Sequence, residues 1–167
     1  WPVLAEAAGM TLTGALSQHF STGLITLALH KKAPRGRDWL DAGIRQLLAR
    51  ASGHTLTSHI YTNALHSVPD VGQDAHRRLG ILVDLYRTAQ SQLTVFHSEF
   101  SYDWYRHKKK QSDADVFLWL QQAQFNEDNN RYSVGDALTE YLTFGQGFPA
   151  LALCNATEFD RLACTVF

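Results

Sequence analysis

The sequence predicts a mainly α fold: a multi-helix bundle with one long central helix and a short C-terminal β-hairpin. Three observations lead there. Apolar residues between Leu79 and Trp104 recur at steps of three and four. Shorter segments with helix-start and helix-stop residues flank that stripe. The tail, Phe148–Leu153 and Leu162–Phe167, reads as two short strands. With 167 residues, 45% hydrophobic and 19% charged, the chain has material for one cored domain. That composition excludes a disordered tail, a collagen-like fibre and a disulfide-dense mini-domain.

In chain order, the first thirty residues are ambiguous. Leu16, Phe20, Leu24, Leu27 and Leu29 fit one helix weakened by Gly23, and Leu24–Leu29 also fits a strand. Trp39–Ala51 is a helix, with Asp38 as N-cap and Gly53 as its stop. Leu56–Leu65 is a second helix, closed by Val68-Pro69. Asp70 and Gln73 form a capping-box pattern. From there the stripe Leu79, Leu82, Tyr86, Ala89, Leu93, Phe96, Phe100 and Trp104 predicts a helix reaching His107. Such a helix of roughly 35 residues would be about 50 Å long, with weaker propensity at Ser98–Asp103. Ser112 and Asp115 start a helix carrying Val116, Trp119, Leu120 and Ala123. Ser133 and Asp136 start another carrying Val134, Ala137, Leu138, Tyr141 and Leu142, stopped by Gly145-Gln146-Gly147.

The organisation expected is a single domain over residues 1–167. Residues 1–110 form a helical part with a basic middle; residues 111–167 form an acidic helical pair plus the hairpin. The start at Trp1 and the apolar end at Phe167 suggest a fragment of a longer chain.

The formal net charge of −1 is a cancellation. Residues 31–110 hold 13 Lys and Arg against 7 Asp and Glu, whereas residues 111–167 hold 2 against 8. Such asymmetry marks either a polyanion-facing region or two faces of one fold that neutralise each other. Candidate phosphate contacts are Lys31, Lys32, Arg35 and Arg37, and then Arg106, Lys108, Lys109 and Lys110 at the end of the long helix. Tyr102, Trp104 and Tyr105 precede the second group and supply rings for base stacking or cation–π contact.

No apolar run approaches the roughly 20 residues needed to span a bilayer. Cys154 and Cys164, with a glycosylation sequon at Asn155, fit either a secreted disulfide hairpin or two reduced intracellular thiols; the intracellular reading is preferred. His54, His59 and His66 are spaced by 5 and 7, which is not the one-turn pair of a helical zinc site, so no metal or other cofactor is expected.

Ser52-Gly53-His54-Thr55 followed by Ile60-Tyr61-Thr62 resembles the last catalytic box of the tyrosine recombinases. Leu16-Ser17-Gln18-His19 resembles that family's preceding helix, and Leu65–Arg78 the helical extension of recombinase-like domains attached to fungal helicases. The resemblance spans about residues 11–90. It implies DNA strand transfer, with Tyr61 as nucleophile and His54 as a phosphate-contacting donor. Gln18 stands where the family carries its second arginine, and the His54–Tyr61 separation is two residues short, which points to a degenerate, DNA-binding module rather than an active enzyme. The alternative is a helical protein-interaction or assembly subunit that docks partners on the Leu79–Trp104 helix face.

Overall fold

A computed structural model describes residues 2–20, 23–29, 32–70, 72–92, 94–125, 152 and 155–167. It divides into two compact units, Trp1–Thr94 with Val166–Phe167, and Val95–Thr165. The fold is mixed α/β, which corrects the mainly α expectation. Among the described residues, six strands form two sheets alongside five α-helices.

The first unit begins with a hairpin of β1 (Pro2–Ala7) and β2 (Met10–Ala15). Its turn residues Ala8 and Gly9 both have positive φ, 46° and 70°, the geometry that matches the twist of a two-residue hairpin. Val3, Ala5 and Ala7 are buried while Pro2, Leu4 and Glu6 are exposed, so the period is two rather than 3.6. A second sheet has the order β3 (His19–Phe20), β4 (Gly23–Leu27), β5 (Thr57–Tyr61), β6 (Leu65–Ser67). β4 and β5 are parallel, joined by α1 (Gly36–Ala51); the other pairings are antiparallel. Gly23 is required where β4 meets β5, because a Cβ there would lie 2.5 Å from the Thr57 carbonyl oxygen.

Helix α1 is the centre of this unit. Asp38 Oδ2 accepts from the Arg35 N–H at 2.8 Å at its start. Gly53, with φ 84°, turns the chain at its end. One side of α1 packs Ala42 with Ala28 and Ile60, and Ala49 with Leu24 and Leu56 of the second sheet. Another side packs Leu47 with Ala5 and Ala7 of the hairpin and with Leu79 and Val83 of α2 (Ala75–Ala89).

Two further element expectations are corrected here. Leu56–Leu65 is not a helix: Ser58 and Ile60 are buried between exposed Thr57 and Tyr61, the period-two burial of a strand. The continuous long helix is two helices in different units, α2 and α3 (Ser98–Lys110). The stripe runs on across the break because Phe100 and Trp104 are core residues of the second unit, as Leu79 is of the first.

The second unit joins α3, α4 (Val116–Phe125) and α5 (Ala156–Val166) around Phe100, Trp104, Leu120, Ala152, Phe159 and Ala163. Asp115 Oδ1 caps α4 by accepting from Phe117 and Leu118 N–H groups at 2.8 and 3.2 Å. The C-terminal hairpin is corrected as well, since Leu162 to Val166 are the last turns of α5. Phe159, Leu162 and Ala163, at helical spacing, are buried. The helix expected from Ser133, its Gly145–Gly147 stop and most of the first tail strand lie outside the described residues.

Candidate nucleic-acid interface

α3 opens at His97, whose Nδ1 accepts from the Phe100 N–H at 3.4 Å and whose own N–H donates to Ser101 Oγ at 3.3 Å. Its sequence, Ser-Glu-Phe-Ser-Tyr-Asp-Trp-Tyr-Arg-His-Lys-Lys-Lys, then sorts onto two faces. Phe100, Trp104, His107 and Lys108 fall at steps of three and four and turn toward α4 and α5. Trp104 is fully buried, with its ring 5.3 Å from Trp119 and 5.8 Å from His107. Phe100 packs against Trp119 at 4.9 Å and Phe159 at 5.7 Å.

Asp160 on α5 gathers the polar groups of the buried face. Lys108 Nζ lies 2.7 Å from both carboxylate oxygens, and Trp104 Nε1 donates to Oδ1 at 2.7 Å. Burial pushes the Asp160 carboxyl up, but hydrogen bonds from Lys108, Trp104 and Cys164 outweigh it and hold the group below its ordinary value. The same bond to Asp160 raises Lys108 against its partial burial. Burial, and then the Asp160 charge, push the Cys164 thiol up to about 11, so it is a protonated, poorly nucleophilic group at neutral pH.

The opposite face carries Tyr102, Tyr105, Arg106 and Lys109, at positions i, i+3, i+4 and i+7. The Arg106 guanidinium lies 5.7 Å from the Tyr102 ring centroid and Lys109 Nζ lies 5.6 Å from that of Tyr105. The two rings stack 6.5 Å apart, inclined at 28°. Arg106, Lys109 and Lys110 are exposed. This face therefore offers flat rings and exposed cations along one helix edge. Of the residues singled out from sequence, Trp104 and Lys108 belong to the buried face instead.

The other basic group sits in the first unit, before and within the first turn of α1. Lys32, Arg35 and Arg37 are exposed there, and Lys31 lies outside the described residues. Cations at a helix N-terminus oppose its dipole, so their position is not explained by helix stability. Most remaining arginines of this unit are tied to neighbours. Arg45 donates to the Ile25 carbonyl at 3.3 Å, to Thr26 Oγ1 at 3.2 Å and to the Ser17 carbonyl. Arg50 pairs with Asp70 at 3.0 Å, and Arg87 donates to the Ala8 carbonyl at 2.7 Å.

Tyr61 and His54 are not brought together on a helix. His54 lies in the turn after α1, its N–H donating to the Ala49 carbonyl at 2.9 Å, and Tyr61 is the last residue of β5. The strand between them rises roughly 13 Å. His59 lies between the hydroxyls of Thr57 and Ser67, each at 3.3 Å, and His66 Nε2 is 3.1 Å from Thr62 Oγ1. Among the described residues no group of three His, Cys, Asp or Glu side chains is arranged to hold a metal ion. Nor is any described helix long and apolar enough to cross a membrane.

Among protein families, the chain matches the model of the RecC C-terminal domain over residues 2–109. RecC is a subunit of the RecBCD helicase, so the match is DNA-related and of the recombination and repair class. It replaces the resemblance to tyrosine recombinases, and with it the grounds for a strand-transfer role at Tyr61 and His54. No curated protein and no solved structure matches the chain. The matched span takes in the whole of α1, α2 and nearly all of α3, including Tyr102, Tyr105, Arg106 and Lys109.

Proposed function

The chain belongs to the RecC C-terminal domain family, and from that premise we propose that it is a DNA-contacting domain whose outward α3 face meets the phosphate backbone. The observation that carries this reading is the division of α3. One lysine and one tryptophan are spent on Asp160 and the aromatic core, while Arg106 and Lys109 remain exposed over Tyr102 and Tyr105. Exposed cations can neutralise phosphates and release counterions, and ring faces can stack on unpaired bases at a helicase-type junction. Lys32, Arg35 and Arg37 form a second contact, where exposed cations stand at a helix N-terminus whose N–H groups also favour phosphate. Lys110 belongs with the α3 contact.

In this reading the domain positions DNA and protein subunits of a RecBCD-type assembly inside the cell, and the chemistry resides elsewhere. The Leu79–Trp104 stripe is not one continuous partner face, because Leu79 and Trp104 are each buried within their own unit. Fluorescence anisotropy of a labelled duplex oligonucleotide, titrated with the chain at low and at high salt, tests the proposal. Saturable binding that weakens steeply with salt is expected. Absence of binding at low salt would sink it.

A further inference from the structure

Independently of DNA contact, we propose that the outer edge of β2 and the groove beside it form a docking site for an extended peptide segment of a partner protein, added as a third strand to the hairpin. The hairpin register sets which backbone groups are free. Ala7 and Met10 close the two-residue turn, so the hydrogen-bonded pairs are Ala7–Met10, Ala5–Leu12 and Val3–Gly14. The N–H and C=O groups of Thr11, Thr13 and Ala15 therefore point away from β1. Residues 10–15 make no other backbone hydrogen bond among the described residues.

The two edges of the hairpin differ. On β1, Pro2 has no N–H, and the Leu4 N–H donates to Ser52 Oγ at 3.0 Å. On β2, Met-Thr-Leu-Thr-Gly-Ala contains no charge, no proline and no bulge, the devices by which exposed edges are protected against pairing. Under that edge runs a groove of about 510 Å³, walled by Leu12 of β2, Ile44 and Leu48 of α1, and Leu82 and Tyr86 of α2. Tyr86 is 60% exposed although it lines this apolar surface. A strand laid on β2 would pair with three outward residues and drop every second side chain into the groove.

The occupant's chemistry follows from the site. Its backbone must be extended and hydrogen-bonding, and its alternate side chains apolar and mid-sized. A second copy of this chain is disfavoured by size. Six residues of edge span about 20 Å, and pairing over that length falls well short of the roughly 1,200–2,000 Å² that a stable protein–protein interface buries. A flexible segment of a partner needs only the ladder and the groove.

The probe is a fluorescein-labelled peptide alternating valine and threonine with a lysine at each end. It is titrated by anisotropy against the full chain, together with two versions N-methylated on the amides of one edge or of the other. Saturable binding is expected, with N-methylation of the pairing edge weakening it by roughly tenfold or more and N-methylation of the opposite edge having little effect. Thr13→Pro, which removes one outward N–H, and Leu82→Glu, which charges the groove, should each weaken binding comparably, with circular dichroism confirming that they fold. Arg106→Ala should not change it. The proposal is overturned by absence of saturable binding or by equal affinity of the two methylated peptides. A concentration-dependent dimer in light scattering that the peptide does not dissociate would overturn it equally, by assigning the edge to a second copy.

Discussion

The two units use their basic residues differently. In the first, Arg45, Arg50 and Arg87 are internal fasteners, holding β4 and the Ser17 carbonyl, Asp70, and the hairpin turn respectively, while Lys32, Arg35 and Arg37 are exposed. In the second, one cation of the α3 cluster, Lys108, serves as a fastener, and Arg106, Lys109 and Lys110 are exposed. A surplus of lysine and arginine in the sequence is therefore not a measure of a DNA-facing surface. Position on the helix decides it: Lys108 is four residues from Trp104 on the buried face, and Arg106 four from Tyr102 on the outward one.

The largest effect expected is on the second unit alone. Trp104→Ala removes a fully buried ring and should cost about 3–5 kcal/mol. Hydrogen exchange should show lost protection in α3, α4 and α5 with the first unit's strands unchanged; equal loss in both units would show that they unfold together. Next comes the first unit's close approach of strands. Gly23→Ala forces a Cβ against the Thr57 carbonyl and should cost about 1–3 kcal/mol in chemical denaturation, with protection lost around β4 and β5.

These two substitutions also show where the sequence was readable. α1 and α4 were legible because periodicity and helix-start residues agree: Asp115 caps α4, whereas α1 starts three residues earlier than expected, with Arg35 as N-cap and Asp38 reaching back to its N–H from the third helical position. The β-strands were not. Leu56 and Ile60 are four apart, which imitates a helix face, and only burial shows that Ser58 and Ile60 face inward at period two. The hairpin's inward residues are largely alanine, Ala5 and Ala7, whose small side chains give a faint alternation. The break between α2 and α3 was hidden because two separate cores continue one apolar rhythm. The interface was half visible. The cluster Tyr102 to Lys110 stood out as a basic and aromatic run, but the ion pair that removes Lys108 depends on Asp160, 52 residues away.

A smaller effect distinguishes fastener from free cation. Asp160→Asn should destabilise the second unit by about 1 kcal/mol, since the pair is partly solvated. The pH dependence has a definite sign. Asp160 is held below its unfolded value, so its contribution is fully present above the ordinary carboxylate range and fades as pH falls through the depressed value. Lys108 is held above its unfolded value, so its contribution is present below that value and fades as pH rises through the folded one. Wild-type stability curves should show both flanks, and Asp160→Asn should flatten them. The smallest stability effect belongs to Arg106→Ala with Lys109→Ala, which should stay within about 0.5 kcal/mol because both side chains are exposed.

That nearly silent pair is also the sharpest probe of function. The measurement is the slope of log affinity against log salt for a duplex oligonucleotide, compared between the wild type, the Arg106→Ala/Lys109→Ala variant and Lys108→Met, each verified as folded. If the outward face of α3 meets phosphates, the double variant loses about 1.8 from the slope, roughly 0.9 for each contact, and Lys108→Met leaves it unchanged. An unaltered slope in the double variant, or an equal loss in Lys108→Met, would contradict the assignment of that face to DNA.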